Sequence, residues 1–419
     1  MQIELPYGKG NIVYTPVKQT RVLTSRLLEL KAQESGLSIV QKAMAHPIGS
    51  RPLHELAQGK KTCTIIISDH TRPVPSRDIL PPMLEELRAG NPAMDITLLV
   101  ATGFHRLTTE AELRSKLGDA VFDGEKIVVH DCERNNVFVG TLPSQAPLIA
   151  DRAAVDTELL LAEGFIEPHF FAGFSGGRKS VLPGICDRAT VLGNHCSAFI
   201  DSAFSRTGTL EGNPIHRDMV AAARMLHLSF IVNVVIDEQK KTAAAFAGNF
   251  EQAHEKGCAF LKPYCSVHAE LADASVATNG GAPLDQNIYQ CVKGMTAAEA
   301  ATRPGGAVIL CAECADGVGG NGIYTALRNC ADPDELYARI MATPADKTEP
   351  DQWESQILAR ILRKHPVIMV TRPELKKTVG EMKMLYAATV DEAVSLAESV
   401  AGPVKTVNVI PNGVSVIVN

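Results

Sequence analysis

Short apolar runs alternate with amphipathic stretches along the first half of the chain. The apolar runs predict buried strands at 62–68, 95–102, 126–130, 159–162 and 230–236. Apolar positions at helical spacing between them predict helices that include 79–89, 110–117 and 217–226. Runs that are apolar throughout are typical of strands covered on both faces, which occur in mainly parallel sheets.

The second half of the chain repeats this pattern. Strands are predicted at 275–278, 307–311 and 367–371, and helices at 286–302, 334–341, 352–364 and 391–400. Strands that alternate with helices predict an α/β fold, and the length exceeds what one core usually serves. We therefore expect two α/β domains, each with a mainly parallel sheet flanked by helices. The boundary is placed near a predicted helix at 250–264, which divides the chain into 1–262 and 263–419.

Composition narrows the class of protein. The 419 residues are 45% hydrophobic and 21% charged, with a net charge of -6 and a pI near 6.1. This balance does not favour binding to nucleic acid or to a membrane surface. The N-terminus does not read as a secretory signal, and no apolar run is long enough to span a bilayer. The ten cysteines are scattered, so we expect reduced thiols and a cytoplasmic location.

Cys311 and Cys314 form a lone CxxC pair directly after the predicted strand 307–311. Zinc frameworks usually combine such a pair with a second pair or with suitably spaced histidines. No partner pair follows, so zinc binding or redox chemistry is disfavoured at this motif.

Polar residues crowd the end of the first buried strand, at Asp69-His70-Thr71-Arg72. Arg72 could hold a carboxylate or a phosphate through its two-pronged guanidinium. Asp69 could accept hydrogen bonds from hydroxyls or orient Arg72, while His70 is interpreted as structural. The alternative is a helix cap with a structural salt bridge, with Pro73 opening the next segment.

His105 has a similar setting, because Gly103 predicts a tight turn directly after the strand 95–102. Ligands of α/β proteins bind beyond the carboxyl ends of the strands. An imidazole there suits acid–base chemistry near neutral pH. The alternative is a structural histidine whose ring is hydrogen-bonded within the loop.

The stretch 167–195 combines His169, a glycine-rich turn with Arg178 and Lys179, and His195. Glycines let backbone N–H groups approach an anion, and a lysine can reach a phosphate or form a covalent link. A Walker A loop needs glycine directly before the lysine, where Arg178 stands, so an NTPase is disfavoured. Either a phosphate-binding nest or a plain turn with solvent-facing Arg178 and Lys179 remains open.

His195 alone cannot define a metal site, since further ligands would have to come from elsewhere in the chain or from a cofactor. On the predicted helix 286–302, Gln290 and Lys293 are three residues apart and can share a face. An amphipathic helix with a solvated lysine explains that spacing equally well.

Taken together, these motifs resemble the nickel-dependent lactate racemase family and its homologous 2-hydroxyacid racemases and epimerases. The resemblance covers essentially the whole chain, and six motifs in family order are far more specific than any one. They are SDHTRPVP (68–75), ATGFHR (101–106), EPHFFAGFSGGRKSVLPG (167–184), GNH (193–195), NIYQCVKG (287–294) and DQWESQILARIL (351–362). Leu107 departs from the family, where a proline is expected, and this affects loop shape rather than chemistry.

The resemblance implies a site in the cleft between the domains and a nickel-pincer nucleotide, pyridinium-3,5-bisthiocarboxylic acid mononucleotide with bound nickel. Lys179 matches the lysine that attaches to this cofactor through a thioamide. His195 matches the single protein ligand to nickel, which suits a square-planar Ni(II) completed by the cofactor.

The same resemblance implies roles for the other candidate residues. His105 and His169 match the two catalytic histidines. Arg72 matches the residue that holds the substrate carboxylate, with Asp69 beside it at the cofactor. The remaining matches line the cofactor and substrate pocket, with the glycines near the cofactor phosphate; they are Tyr289, Gln290, Lys293, Trp353, Gly176 and Gly177. For Trp353 a role in the core is the alternative.

The implied activity is racemisation of a small 2-hydroxy acid, with lactate as the default, by reversible hydride transfer through a 2-keto acid. Two histidines are needed because each hand of the substrate presents its hydroxyl to a different base. Proteins of cofactor biosynthesis are the implied partners for loading. The alternatives are a racemase or C2-epimerase of a different or larger 2-hydroxy acid, and a phosphate- or nucleotide-binding protein without hydride chemistry.

Overall fold

The structure is a computed structural model that describes residues 2–237 and 239–419. Its internal contacts divide the chain into two compact units. The N-terminal unit contains residues 26–195 and 204–264, and the C-terminal unit contains residues 2–25, 196–203 and 265–419. The domain boundary predicted from the sequence, 1–262 and 263–419, stays a prediction.

The strands of the described residues are, in chain order, β1 (Ile3–Tyr7), β2 (Gly10–Tyr14), β3 (Gln19–Val22), β4 (Thr62–Ser68), β5 (Asp95–Ala101), β6 (Lys126–Val129), β7 (Asn136–Thr141), β8 (Pro147–Asp151), β9 (Leu159–Phe165), β10 (Pro168–His169), β11 (Gly173–Phe174), β12 (Leu228–Ile236), β13 (Thr242–Gly248), β14 (Ser266–Val267), β15 (Ala272–Thr278), β16 (Thr302–Cys311), β17 (Val367–Val370), β18 (Leu385–Ala387), β19 (Thr406–Ile410) and β20 (Ile417–Val418).

The helices are α1 (Gly36–Ala45), α2 (Leu53–Ala57), α3 (Ser76–Gly90), α4 (Glu110–Leu117), α5 (Asp119–Gly124), α6 (Arg152–Val155), α7 (Arg188–Asn194), α8 (Ser197–Asp201), α9 (Pro214–Met225), α10 (Phe250–Cys265), α11 (Ile288–Ala300), α12 (Asn321–Asn329), α13 (Pro333–Met341), α14 (Gln352–Leu362), α15 (Lys376–Glu381) and α16 (Val390–Ala401). Within the described part of the chain, no helix is long and apolar enough to cross a membrane.

The N-terminal unit is built on a six-stranded sheet in the order β13-β12-β9-β4-β5-β6. All neighbours are parallel except β13, which pairs antiparallel with β12. Every residue of β9 is buried, as expected for a central strand between two layers. The core includes Ile65, Leu98 and Leu161, against which apolar residues of α3 pack.

The C-terminal unit has a wholly parallel sheet in the order β18-β17-β16-β15-β19-β3. Its core includes Val276, Ile309, Ile368 and Val407. The edge strand β3 comes from the start of the chain, so residues before Ser25 pack with the C-terminal half. Two α/β units with mainly parallel sheets confirm the fold class predicted from the sequence.

The buried side chain of Asn279 ties the end of β15 to α11. Its amide nitrogen donates to the carbonyls of Leu284 and Gln290, both at 2.7 Å. Its amide oxygen accepts the Gly294 N–H at 3.0 Å. One side chain therefore satisfies three backbone groups and fixes the helix that carries Gln290.

We predict that Asn279→Ala lowers the free energy of unfolding by about 2–3 kcal/mol, because buried backbone groups lose their partners. The matched control is Asn11→Ala, since Asn11 is exposed and donates only to the Glu4 carboxylate. Urea denaturation should show a loss below about 0.5 kcal/mol for the control. Equal losses in the two variants would contradict the role of Asn279.

Candidate active site

Three neighbouring parallel strands, β9, β4 and β5, end at the same edge of the N-terminal sheet. Asp69 directly follows β4, and the loop after β5 carries His105. His169 lies shortly after β9, in the small strand β10. Topology thus places three of the candidate residues beyond strand ends, where α/β proteins bind ligands.

Asp69 and His105 form a hydrogen-bonded pair. The carboxylate is 1% exposed, and its Oδ2 lies 2.6 Å from His105 Nδ1. Its Oδ1 accepts both the N–H and the hydroxyl of Thr71. Because Nδ1–H donates to Asp69, the neutral imidazole of His105 presents its lone pair at Nε2. The sequence suggested hydroxyl donors or Arg72 as partners of Asp69 and did not identify His105.

Hydrogen bonding keeps Asp69 ionised. Burial alone would raise the pKa of Asp69, but the hydrogen bonds from His105 and Thr71 and the nearby positive charges outweigh it. The pKa of Asp69 therefore lies below its ordinary value. An ionised, buried carboxylate on Nδ1 fixes the tautomer of the imidazole and leaves the lone pair at Nε2.

Arg72 lines an open pocket of about 660 Å³ together with His70, Arg77 and Lys116. Arg72 is exposed. The backbone carbonyl of Arg72 accepts a hydrogen bond from Lys116 Nζ at 3.0 Å. His70 Nδ1 lies 3.1 Å from the Thr108 hydroxyl, which agrees with a structural interpretation of that histidine. Lys116, which the motifs did not reveal, holds the loop that carries Arg72.

The glycine-rich turn is held by Asn233 of β12. Gly177 N–H donates to Asn233 Oδ1 at 2.6 Å, and both Gly176 and Gly177 have positive φ, 82° and 53°. A Cβ on Gly176 would lie 2.6 Å from the same Asn233 oxygen. The N–H of Gly177 therefore serves the turn itself, and a role of these glycines in holding phosphate stays a prediction.

Arg178 is not solvent-facing, which corrects one reading of the sequence. Its side chain is 1% exposed and donates to the carbonyls of Ala172, Phe174 and Gly176. It also contacts the imidazoles of two other buried or half-buried histidines, His216 and His254. Burial lowers the pKa of Arg178 to about 10. The guanidinium shapes the loop between His169 and Lys179 and does not face a phosphate.

Lys179 and His169 lie side by side in this loop. Lys179 Nζ is 3.2 Å from His169 Nε2, and His169 Nδ1 accepts the Ala172 N–H at 3.2 Å. The His169 ring stacks on Phe170 and meets the edge of Phe171, with ring centroids 5.1 and 4.5 Å apart. The sequence predicted both residues for the site, and the structure brings them into contact.

His195 follows α7 and is 4% exposed. Its Nδ1 lies 3.0 Å from the carbonyl of Val191, one turn earlier, and therefore donates to it. The neutral ring then presents its lone pair at Nε2, the usual arrangement of a metal-ligating histidine. Burial, and next the charge of Lys179, lower the pKa of His195 to about 3, so the imidazole is neutral.

The C-terminal unit holds the other candidates on two helices that pack together, α11 and α14. Lys293 Nζ donates to Gln290 Oε1 at 2.6 Å, so these side chains do share a face. Tyr289 lies beside Asp351 and Trp353, and burial raises the pKa of its hydroxyl well above the ordinary value. Tyr289, Gln290, Lys293 and Trp353 thus form one cluster.

Glu354 belongs to this cluster, although the sequence did not single it out. Its carboxyl is 2% exposed, and one oxygen has no hydrogen-bond donor in the structure. Burial raises the pKa of Glu354 to about 8, while the charge of Lys293 acts in the opposite direction. A carboxyl that changes charge near neutral pH therefore lies beside Lys293.

Both cysteines of the CxxC motif, Cys311 and Cys314, are buried. Among residues 2–237 and 239–419, no group of three or more His, Cys, Asp or Glu side chains is arranged to hold a metal ion. Cys314 Sγ lies 3.7 Å from the thiol of Cys291 on α11, and both cysteines are buried.

The structure therefore has two α/β units, and the N-terminal unit carries a histidine–carboxylate pair, a lysine and a buried histidine. Family models of the lactate racemase N-terminal domain and C-terminal domain match residues 7–208 and 267–418. The chain belongs to the lactate racemase family and is an isomerase.

Similar proteins cover the full chain. Lactate racemase of Thermoanaerobacterium thermosaccharolyticum is 50% identical and that of Lactiplantibacillus plantarum 48%, each over 99% of both chains. The solved lactate racemase apoprotein of T. thermosaccharolyticum superimposes over 100% of both chains with a TM-score of 0.95. A Thermotoga maritima protein, 17% identical with a TM-score of 0.66 over 91% of this chain and 98% of its own, shares the fold alone.

We predict that Asp69→Asn lowers racemase kcat by about 10³–10⁴-fold, because an amide can hold the wrong tautomer of His105. Asp95→Asn is the matched control, since Asp95 is exposed at the start of β5. Steady-state kinetics of both variants check this expectation. A kcat within about twofold of the parent for Asp69→Asn would show that the pair does not matter for turnover.

A second prediction concerns pH and Glu354. Its pKa is raised from 4.5 to about 8 on folding, so the folded state binds the proton more tightly. The contribution of Glu354 to stability is then most favourable below the unfolded-state pKa and is lost as the pH rises to about 8. Glu354→Gln should raise the melting temperature by a few degrees more at about pH 9 than at about pH 5.

Calorimetry of Glu354→Gln across this pH range is the measurement, with Glu349→Gln as the control. Glu349 is exposed just before α14, so its replacement should shift the melting temperature little at any pH. An equal shift for Glu354→Gln at both ends of the range would mean that the buried carboxyl does not titrate as described.

Proposed function

We propose that this isomerase racemises a small 2-hydroxy acid, with lactate as the first choice, by moving the C2 hydrogen as hydride. The full-length likeness to two lactate racemases supports the substrate. A metal-containing cofactor is supported most directly by the orientation of His195. A buried neutral imidazole with its lone pair at Nε2 is suited to bind a metal.

Hydride transfer suits this substrate better than proton abstraction. The C2 proton of a hydroxy acid is very weakly acidic, since its removal adds negative charge beside a carboxylate. Loss of hydride from C2 together with the hydroxyl proton gives a neutral keto group instead. The resulting planar 2-keto acid can receive hydride on either face, which produces either enantiomer of the 2-hydroxy acid.

The residues fit a nickel-pincer nucleotide, the cofactor that the family resemblance implies. In this proposal Lys179 attaches to it and His195 binds its nickel, while Asp69, Arg72, Tyr289, Lys293, Trp353, Gly176 and Gly177 surround it. When bound, this cofactor supplies the hydride acceptor and donor.

The protein itself moves protons and orients the substrate. His105 accepts the hydroxyl proton at Nε2, with Asp69 stabilising the imidazolium that forms. His169 is proposed as the acid–base group for the opposite hand. Arg72 holds the carboxylate while the keto group turns, and positioning of this kind can supply much of the rate enhancement. The residues proposed to contact the substrate also include Gln290, Lys293 and Tyr289.

Two alternatives differ in their support. A racemase or epimerase of a larger 2-hydroxy acid would use the same groups, so the substrate rests on the two curated relatives alone. A phosphate- or nucleotide-binding protein without hydride chemistry is disfavoured, because both full-length relatives are lactate racemases. Proteins that synthesise and load the cofactor are the proposed partners.

The test is to express the chain together with nickel-pincer biosynthesis enzymes and to compare variants by intact mass, bound nickel and chiral analysis of lactate. We predict that Lys179→Ala loses the covalent adduct and that His195→Ala keeps the adduct but loses nickel. His105→Ala should keep both and lose racemisation by at least about 10³-fold.

His46→Ala is the control, because His46 is an exposed histidine at the end of α1. It should retain adduct, nickel and activity. A covalent adduct that persists in Lys179→Ala, or full racemisation by His105→Ala, would contradict the assignments.

A further inference from the structure

His130 lies directly after β6, and its side chain is completely buried. Its Nδ1 is 3.0 Å from Asp151 Oδ2, and its Nε2 is 3.1 Å from the carbonyl oxygen of Cys186. A carbonyl oxygen can only accept a hydrogen bond, so Nε2 carries a hydrogen. An ionised carboxylate likewise only accepts, so Nδ1 carries a hydrogen as well. The two contacts together require one hydrogen more than a neutral imidazole beside an ionised carboxylate has.

The extra hydrogen belongs to the imidazole rather than to Asp151. Asp151 Oδ1 accepts the Ala153 N–H at 2.9 Å, at the start of α6, and Oδ2 faces the ring of His130. Hydrogen bonds to a carboxylate favour its ionised form, and an imidazole is the more basic of the two groups. His130 and Asp151 therefore form an imidazolium–carboxylate pair without net charge, as a buried charge requires.

The other ionisable groups nearest to this pair along the chain have partners of their own. Asp131 accepts a backbone N–H of its own turn, and Asp187 caps α7 by accepting the Thr190 N–H. The thiol of Cys186 donates to a backbone carbonyl, and burial raises the pKa of that thiol well above its ordinary value. Asp151 is thus the carboxylate that balances the charge of His130.

The backbone of His130 is joined to the loop that carries His105. The His130 carbonyl accepts the Thr102 hydroxyl at 2.7 Å, and the Thr102 carbonyl in turn accepts the His105 N–H at 2.9 Å. The next residue, Gly103, donates its N–H to the Gly184 carbonyl at 3.0 Å. The start of the loop is therefore held on two sides, by His130 and by the backbone around Gly184.

The ring of His130 connects these two sides. Its Nε2–H donates to the carbonyl of Cys186, which is two residues after Gly184. The carbonyl of the residue between them accepts the backbone N–H of Asp151 at 2.9 Å. The pair of His130 and Asp151 thus holds the backbone around Gly184 in place, and with it the second support of the loop.

We propose that His130 is a positioning residue for His105: a buried imidazolium, paired with Asp151, that clamps both sides of the loop on which His105 lies. His105 has to stay against Asp69 and, in the proposed function, to reach the substrate hydroxyl, so a loosened loop would slow turnover. The inference rests on the proposed function only for the task of His105.

The first experiment locates the hydrogens in the unloaded protein. Histidines are isotope-labelled, their ring nitrogens are observed by NMR at neutral pH, and the signals lost in His130→Gln identify His130. We expect two protonated nitrogens in the parent. In Asp151→Asn the amide can donate to Nδ1 and still accept the Ala153 N–H, so we expect a neutral ring with hydrogen on Nε2 alone. A neutral His130 in the parent would overturn the proposal.

The second experiment measures how firmly the unloaded protein holds the His105 loop, by amide hydrogen exchange and peptide mass spectrometry. Exchange of residues 102–106 should be at least about tenfold faster in His130→Phe than in the parent. Asp151→Asn keeps every hydrogen bond of the pair, so its exchange should stay within about twofold of the parent. Thr102→Val removes one side of the clamp alone and should also accelerate exchange, which tests the clamp if His130→Phe does not fold.

His46→Phe and Asp156→Asn are the matched controls, because both residues are exposed. They should leave the exchange of the loop at the parent's rate, and melting temperatures establish that each variant is folded. Exchange at the parent's rate in folded His130→Phe or Thr102→Val would overturn the proposal. An Asp151→Asn variant that exchanges as fast as His130→Phe would do so as well.

A third readout uses cells that make the nickel-pincer cofactor. Per bound nickel, His130→Phe should lower racemase kcat at least about tenfold and change KM less than about twofold, since His105 acts on the hydroxyl proton. Asp151→Asn should keep at least about half of the parent's kcat. A loaded His130→Phe with the parent's kcat would contradict the positioning role. If the loaded parent does not racemise lactate, the proposed function fails, while NMR and hydrogen exchange still decide whether His130 clamps the loop.

Discussion

The buried guanidinium of Arg178 is the interaction on which the candidate site depends. Its donors bond to the carbonyls of Ala172, Phe174 and Gly176, and so tie three points of one loop to a single buried group. This holds a tight loop in one shape, so that the Ala172 N–H reaches His169 and Lys179 turns toward the same ring. A lysine in place of Arg178 would lack the planar fork needed to bond several carbonyls at once.

A common principle links the other positions of the site. Three buried polar side chains each hydrogen-bond to a candidate site residue: Asp69 to His105, Asn233 to Gly177 and Asn279 to Gln290. Burying a polar group is costly unless it is paired, so each pairing defines one geometry strongly. The pairing is incomplete at Nδ2 of Asn233 and at one oxygen of Glu354, neither of which has a hydrogen-bond partner in the structure. Burial raises the pKa of Glu354, beside Lys293, to about 8.

Much of the fold could be predicted from apolar runs, because buried parallel strands such as β4, β5 and β9 have a strong pattern. The strands β3 and β19 escaped prediction for physical reasons. β3 is a polar edge strand, and β19 carries Asn408 in its centre, whose buried amide donates to the carbonyls of Glu270 and Ala301. A polar residue that is satisfied only by tertiary contacts breaks the apolar pattern that sequence reasoning uses.

The candidate site shows a similar limit. Motifs identified His105, His169, Lys179 and His195, since their neighbours along the chain signal turns at strand ends. The partnership of Asp69 with His105 depends on two strands lying side by side, which local sequence cannot show. Glu354 lies on a helix where a carboxylate normally faces solvent, and Arg178 is in a turn where a cation normally does. Their burial became evident only from the folded chain.

The most direct test of the central claim follows the hydrogen at C2. Loaded enzyme is given one hand of lactate with deuterium at C2, in ordinary water, and the opposite hand is isolated and analysed by mass spectrometry. Hydride transfer within the site predicts that the product retains deuterium. Loss of deuterium to solvent at the rate of racemisation would show proton abstraction from C2 and would contradict the account.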